Sequence, residues 1–89
     1  MNGKEIQASQ IRTLLLELID QVAPGCVPDD VDDEEDIREQ MDLDSMDILN
    51  IVAALHERTG IDVPESDVDQ MVTIAGAVAY LSPFEFPGD

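Results

Sequence analysis

The sequence predicts an all-α fold: a bundle of four helices, three longer and a short third one, with a long first loop. Apolar residues recur at helical spacing in separate segments of the chain. Cap and breaker residues divide these segments from one another. Aromatic residues make up only 3% of a chain that is 44% hydrophobic, so its core has to be aliphatic, as in small helical bundles.

The first helix is predicted over residues 5–23, where Pro24 and Gly25 follow and end it. A long acidic connection comes next, over residues 26–44. Loops of this length are uncommon unless something pins them, so we expect Ile37 and Met41 to pack into the bundle, with a helical turn near residues 33–40. The apolar residues that define the first helix are Ile11, Leu14, Leu15, Leu18, Ile19 and Val22.

Cap residues bound the second helix, predicted over residues 45–59. Asp44 is a good N-cap residue, Asp47 can complete a capping box, and Gly60 suits the position after the helix. At 100° per residue, four apolar residues of this helix fall within an arc of about 100°, and this arc is predicted to face the core. The arc consists of Ile48, Ile51, Val52 and Leu55.

Pro64 disfavours helix at the residue before it, so residues 61–64 are predicted to be an extended link. A short third helix follows over residues 65–70, and Thr73 caps a fourth over residues 74–81. Residues 1–82 are thus expected to form one domain. Residues 83–89, which include two prolines, are expected to form a flexible tail. The alternative is that Phe84 and Phe86 fold back and pack against the bundle.

The net charge of −17 arises from 21 carboxylates against four Lys and Arg residues. Such a field repels nucleic acid and steers the chain toward basic partner surfaces. Cys26 is the only cysteine, so no intramolecular disulfide can form, and we expect a cytoplasmic monomer. No segment approaches the length of a membrane span, which predicts no membrane insertion.

The acidic run over residues 29–36 suggests a calcium loop, but it lacks the glycine and the ligand spacing of an EF-hand. No metal site is therefore predicted, although weak association of divalent cations with these carboxylates stays open. His56 and Glu57 are interpreted as solvated helix residues, since no nucleophile pairs with them.

The most informative segment is Asp42-Leu43-Asp44-Ser45-Met46-Asp47. Its serine should lie in the first turn of the second helix with the hydroxyl exposed. Free backbone N–H groups and the helix dipole favour a phosphate there. With no base nearby, such a serine suits carrying a phosphodiester better than attacking a substrate.

These residues resemble the Asp-Ser-Leu attachment motif of acyl carrier proteins, and the resemblance extends over roughly residues 6–81. Ile37 and Met41 match the family's apolar loop anchors, and residues 63–65 and 71–74 match its later turn and helix entry. The chain departs from the family pattern at five positions, which points to a specialised pathway. Asp42 and Leu43 stand where Gly-Ala or Gly-Leu is common, Asn50 and His56 replace commonly acidic residues, and Arg58 adds a positive charge.

The resemblance implies that Ser45, flanked by Asp44 and Met46, carries a 4′-phosphopantetheine arm added from coenzyme A by a phosphopantetheinyl transferase. The arm would hold acyl groups as thioesters in fatty-acid, lipid or polyketide-type biosynthesis, with no catalytic residue in this chain. One alternative is an aminoacyl or peptidyl carrier. Another is a carrier-like interaction subunit that is never modified, against which the intact Asp44-Ser45 argues.

The resemblance also implies a docking face on the second helix for acyl-transferring, ketosynthase or acyl-loading enzymes with basic surfaces. The alternative for its apolar stripe (Met46, Leu49 and Ala53) is ordinary surface hydrophobics. The predicted docking residues are Asp42, Met46, Asp47, Leu49, Asn50, Ala53 and Glu57. The residues expected to form core, and by resemblance to admit an acyl chain, are Val52, Leu55, Val68, Met71, Ala77 and Val78.

Overall fold

The computed structural model describes the backbone of residues 3–84 and the side chains of residues 7–84. Over this range the fold is all-α, as predicted, with one isolated β-bridge between Asp36 and Thr73. The elements are α1 (Gly3–Val22), α2 (Ile37–Gln40), α3 (Ser45–Thr59), the 3₁₀ helix (Glu65–Met71) and α4 (Ile74–Leu81). α1 packs against α3 and α4, and the 3₁₀ helix packs against both α3 and α4.

α3 has the bounds that its cap residues predict. Asp44 Oδ1 accepts a hydrogen bond from the Asp47 N–H at 3.0 Å, and Asp47 Oδ2 accepts one from the Asp44 N–H at 3.1 Å. This reciprocal capping box satisfies two N–H groups at the start of the helix. At the other end Gly60 adopts φ 77°, a left-handed conformation that costs glycine little, and its N–H donates to the His56 carbonyl.

Three other predicted elements needed correction. α1 begins at Gly3 and ends at Val22, whereas residues 5–23 were predicted. The start was missed because no N-cap residue marks it, and the end differs because the chain bends at Ala23. The third helix is a 3₁₀ helix that extends to Met71, as is common for short connectors. Of the helical turn expected near residues 33–40, only residues 37–40 are helical.

Two hydrophobic clusters make up the core. The distal cluster surrounds the second half of α3 and consists of Ile11, Leu15, Leu18, Leu55, Ile61, Val63, Met71, Ala77 and Leu81. The proximal cluster surrounds the first half of α3 and consists of Ile19, Ile37, Met41, Leu43, Ile48, Ile51 and Ile74. The half-buried Val68 and Val78 pack against both.

The long connection is pinned as expected, since Ile37 and Met41 are each only 2% exposed in the proximal cluster. Asp36 caps α2 by accepting from the Arg38 N–H at 2.8 Å, and its carboxylate pairs with the Arg38 guanidinium at 2.6 Å. These hydrogen bonds from Arg38 lower the pKa of Asp36.

At the end of α4 the Tyr80 hydroxyl donates to Asp67 in the 3₁₀ helix at 2.6 Å, which raises the pKa of Tyr80. The Phe84 ring lies 5.9 Å from that of Tyr80, and Gln7 Nε2 donates to the Ser82 and Phe84 carbonyls. The first residues beyond α4 thus contact the bundle. Residues 85–89, including Phe86, lie outside the described range, so the flexible tail stays a prediction.

Candidate functional site

Ser45 is the first helical residue of α3 and is exposed. Among residues 7–84 no side chain bonds its hydroxyl, and no backbone carbonyl accepts from the N–H groups of Ser45 or Met46. The capping box uses the N–H groups on either side, those of Asp44 and Asp47. The serine therefore presents a free hydroxyl beside two unused backbone donors.

These surroundings fit a phosphodiester on the serine oxygen. The free N–H groups and the positive end of the α3 dipole favour an anion, an effect of about 0.3–1 kcal/mol at an exposed helix end. The nearby carboxylates of Asp42, Asp44 and Asp47 oppose it. Since a phosphodiester is held by a covalent bond, an accessible oxygen matters more than these opposing electrostatic terms.

Asp42 has φ 56° and is the single non-glycine with a positive φ among residues 3–84. For an L-residue the left-handed conformation costs roughly 1–2 kcal/mol, and Asp is among the residues that tolerate it best. The family resemblance places a common glycine at this position, and the backbone conformation supplies the physical reason. The turn at Asp42 sends Leu43 into the core, where it is 7% exposed.

Leu43 is a core residue that the sequence interpretation missed. It directly precedes the N-cap Asp44, and both Leu43 and Ile48 belong to the proximal cluster. A hydrophobic residue before the cap and another four residues into the helix form a hydrophobic staple. The spacing of Leu43 and Ile48 was therefore a signal available in the sequence.

The apolar stripe of α3 lies on the surface. Met46 is 63% exposed and Leu49 45%, and Ala53 is also exposed. The opposite side of the helix holds the three buried residues Ile48, Ile51 and Leu55, with Val52 half-buried. The other predicted docking residues, Asp42, Asn50 and Glu57, are exposed, and the capping residue Asp47 is half-buried.

The positive charge on α3 points away from this stripe. Arg58 Nη2 lies 3.4 Å from Glu17 Oε1 of α1, and both side chains are more than half exposed. At 100° per residue, Arg58 is about 145° around the helix from the middle of the stripe. Arg58 therefore does not interrupt the Met46, Leu49 and Ala53 stripe.

His56 is too far from Ser45 to act on it, because eleven residues of helix rise about 16 Å. Its Nδ1 lies 3.3 Å from the Ile61 carbonyl, at the opposite end of α3. Within residues 7–84 no three His, Cys, Asp or Glu side chains are grouped so that they could hold a metal ion. None of the helices described is long and apolar enough to cross a bilayer.

All six residues predicted to admit an acyl chain meet in one place. Leu55, Met71 and Ala77 are buried members of the distal cluster. The half-buried residues that pack against them are Val52, Val68 and Val78. The structure thus places the six together as core, and their contact with cargo stays a prediction.

Comparison with known proteins shows which family the chain resembles. The family model described as "Phosphopantetheine attachment site" matches residues 9–81. An acyl carrier protein of Acidothermus cellulolyticus is 31% identical over 77 residues, covering 86% of this chain and 90% of that protein. One from Zymomonas mobilis is 28% identical over 74 residues, covering 83% and 88%.

A meromycolate extension acyl carrier protein of Mycolicibacterium aurum is also similar, 28% identical over 71 residues, which is 80% of this chain and 72% of that protein. The family match spans most of the chain, including both halves of the core and all of α3. The chain therefore belongs to the acyl carrier protein family, whose members carry acyl groups as thioesters on 4′-phosphopantetheine.

Proposed function

We propose that this acyl carrier protein bears its 4′-phosphopantetheine arm on Ser45. The observation that carries the proposal is the position of this serine: exposed, first in α3 and directly after the N-cap Asp44. When bound, the arm supplies the thiol that forms the thioester. Asp44 and Asp47 hold the start of the helix, so the serine oxygen projects from a rigid turn.

We further propose that the chain is a non-catalytic cytoplasmic carrier. Among residues 7–84 no side chain hydrogen-bonds to the Ser45 hydroxyl, and the single imidazole of the chain, His56, lies at the other end of α3, which supports a serine that is modified rather than one that attacks a substrate. The cargo belongs to fatty-acid, lipid or polyketide-type biosynthesis. The M. aurum relative is a meromycolate extension acyl carrier protein, which supports an acyl cargo over an aminoacyl one.

The surface of α3 that begins at Ser45 is the proposed docking face for the phosphopantetheinyl transferase and for acyl-loading, acyl-transferring and ketosynthase enzymes. Met46 and Leu49 would supply apolar contacts, and Asp42, Asp47 and Glu57 would face basic residues of the partner. Charge complementarity of this kind raises the rate of encounter and fixes orientation more than it adds affinity.

The attachment site is tested by incubation with coenzyme A, Mg²⁺ and a broad-range phosphopantetheinyl transferase. Intact mass should show one phosphopantetheinyl group, and peptide mapping should place it on Ser45. Ser45→Ala should fold and accept nothing. Ser66→Ala is the matched control, because Ser66 is likewise an exposed serine in the first turn of a helix and should have no effect.

A labelled Ser45→Ala protein would overturn the assignment of the site. A wild-type chain that stays unmodified, while a control carrier is loaded in the same tube, would overturn the carrier function.

A further inference from the structure

Residues 32–43, here called the strap, form one hydrogen-bonded unit around the side chain of Gln40. Gln40 Nε2 donates to the Asp32 carbonyl at 2.6 Å and to the Glu35 carbonyl at 3.1 Å. Gln40 Oε1 accepts from the Asp32 N–H at 3.0 Å. The amide thus binds the backbone of Asp32 through both its donor and its acceptor, as a neighbouring strand would.

The strap is attached to the bundle at the start of α4. The Asp33 carbonyl accepts from the Ala75 N–H, and the Ile37 N–H donates to the Val72 carbonyl, both at 2.8 Å. The Asp33 carboxylate also binds the Arg12 guanidinium of α1 through two nitrogens, at 2.9 and 3.0 Å. The strap, which includes α2, is therefore attached to both α1 and α4.

The last residues of the strap lead directly into Ser45. The Leu43 N–H donates to the Arg38 carbonyl at 2.9 Å, and the Leu43 side chain lies in the proximal cluster. Only Asp44 separates Leu43 from the serine. The path of the chain into the first turn of α3 thus depends on where the strap lies.

We propose that Gln40 is a positioning residue for modification of Ser45: by holding the strap closed, it fixes the backbone that presents the serine to the transferase. Gln40 itself lies in α2 and is not part of the proposed docking face. The proposal rests on Ser45 being the attachment site. It predicts that loading depends on the fraction of molecules in which the strap is closed.

Amide hydrogen exchange measures that fraction at the Ile37 and Ala75 N–H groups, which bond across the boundary of the strap. In Gln40→Met, which loses all three side-chain hydrogen bonds, exchange at both should accelerate about tenfold. Gln40→Glu should accelerate it further, because a carboxylate oxygen would face two carbonyl oxygens. Amides of the distal cluster, such as that of Leu55, report global unfolding and should be unchanged.

Loading kinetics then test the functional step. The kcat/KM of the transferase should fall in the order wild type, Gln40→Met, Gln40→Glu, in proportion to the closed fraction derived from the exchange data. Gln10→Glu is the matched control: it adds the same charge at an exposed position in α1 and should alter neither measurement.

Unchanged exchange at Ile37 and Ala75 in both Gln40 variants would show that Gln40 does not hold the strap. A Gln40 variant whose exchange data show the strap mostly open, but whose kcat/KM equals that of the wild type, would show that the strap does not position the serine. Both results are distinct from failure of the wild-type chain to be loaded, which bears on the proposed function alone.

Discussion

Replacing Gly76 by alanine should destabilise the protein, although alanine normally stabilises a helix relative to glycine by about 1 kcal/mol. Gly76 lies in the first turn of α4, and its N–H donates to Oγ1 of the N-cap Thr73 at 2.9 Å. A Cβ atom at this position would lie 2.8 Å from that oxygen and 2.9 Å from the Gln70 carbonyl oxygen. Both distances are shorter than a carbon atom tolerates.

The two clashes have different consequences. Thr73 can relieve its clash by rotating, but it then gives up the cap, at a cost of about 1 kcal/mol. The Gln70 carbonyl belongs to the backbone and moves only if the end of the 3₁₀ helix shifts, and overpacking of this kind costs about 1–3 kcal/mol. After subtracting the gain in helix propensity, we expect a net loss of roughly 1–3 kcal/mol.

For a domain of this size the loss corresponds to a fall in Tm of roughly 4–24 °C. Urea and thermal unfolding followed by circular dichroism measure it. Ala79→Gly is the control, because Ala79 is exposed in the same helix and its replacement should cost only the propensity term of about 1 kcal/mol. A Gly76→Ala protein as stable as the wild type would refute the reasoning from close approach.

Four further outcomes are expected. Leu49→Asp should keep the fold and slow loading, whereas Leu55→Asp places a charge at a position that is 0% exposed and should unfold the bundle; circular dichroism and loading rates distinguish them. Asp42→Gly should be more stable than Asp42→Asn by up to about 1 kcal/mol in urea unfolding, because both remove the charge but only glycine relieves the left-handed backbone. The lowered pKa of Asp36 means that its carboxylate stabilises the fold above the unfolded value of about 3.9, and this contribution disappears as pH falls through the lower folded value. The advantage of the wild type over Asp36→Asn should therefore be present at pH 6 and vanish on acidification, as measured by urea unfolding across that range. Finally, Tm should rise when salt is added to 0.15 M or Mg²⁺ to millimolar levels, since screening over about 8 Å weakens repulsion among the 21 carboxylates; an unchanged melting curve would contradict this.

The sequence predicts best where side chains themselves end an element. Asp44 and Gly60 mark both ends of α3, and its observed bounds agree with them. α1 has no comparable signal at its start, and the predicted bounds were wrong by one to two residues. Burial of Ile37 and Met41 was predictable because apolar residues in an acidic loop need a place to pack.

The attachment of the strap to the bundle could not be predicted from the sequence. The Asp33 carbonyl accepts a hydrogen bond from the Ala75 N–H, and bonds between backbone groups do not depend on residue type. The ion pair of Asp33 with Arg12 joins residues 21 apart in a chain with many other carboxylates, so nothing in the sequence selects this partner. The requirement for glycine at position 76 likewise arises only when the 3₁₀ helix packs against α4.

The division of the core into two clusters separates two requirements of a small carrier, stability of the whole bundle and local motion near Ser45. Cooperative units within a protein can open at different free energies, and the elements that move are those with fewer buried contacts. The distal cluster gathers residues from α1, α3, the 3₁₀ helix and α4, whereas most of the proximal cluster belongs to α2, the turn after it and the first half of α3. The distal cluster has the larger set of buried residues, nine against seven, and is expected to open at the higher free energy. The half of the core next to Ser45 can then loosen and re-form while the distal half holds the helices together, so motion near the proposed attachment site need not unfold the chain.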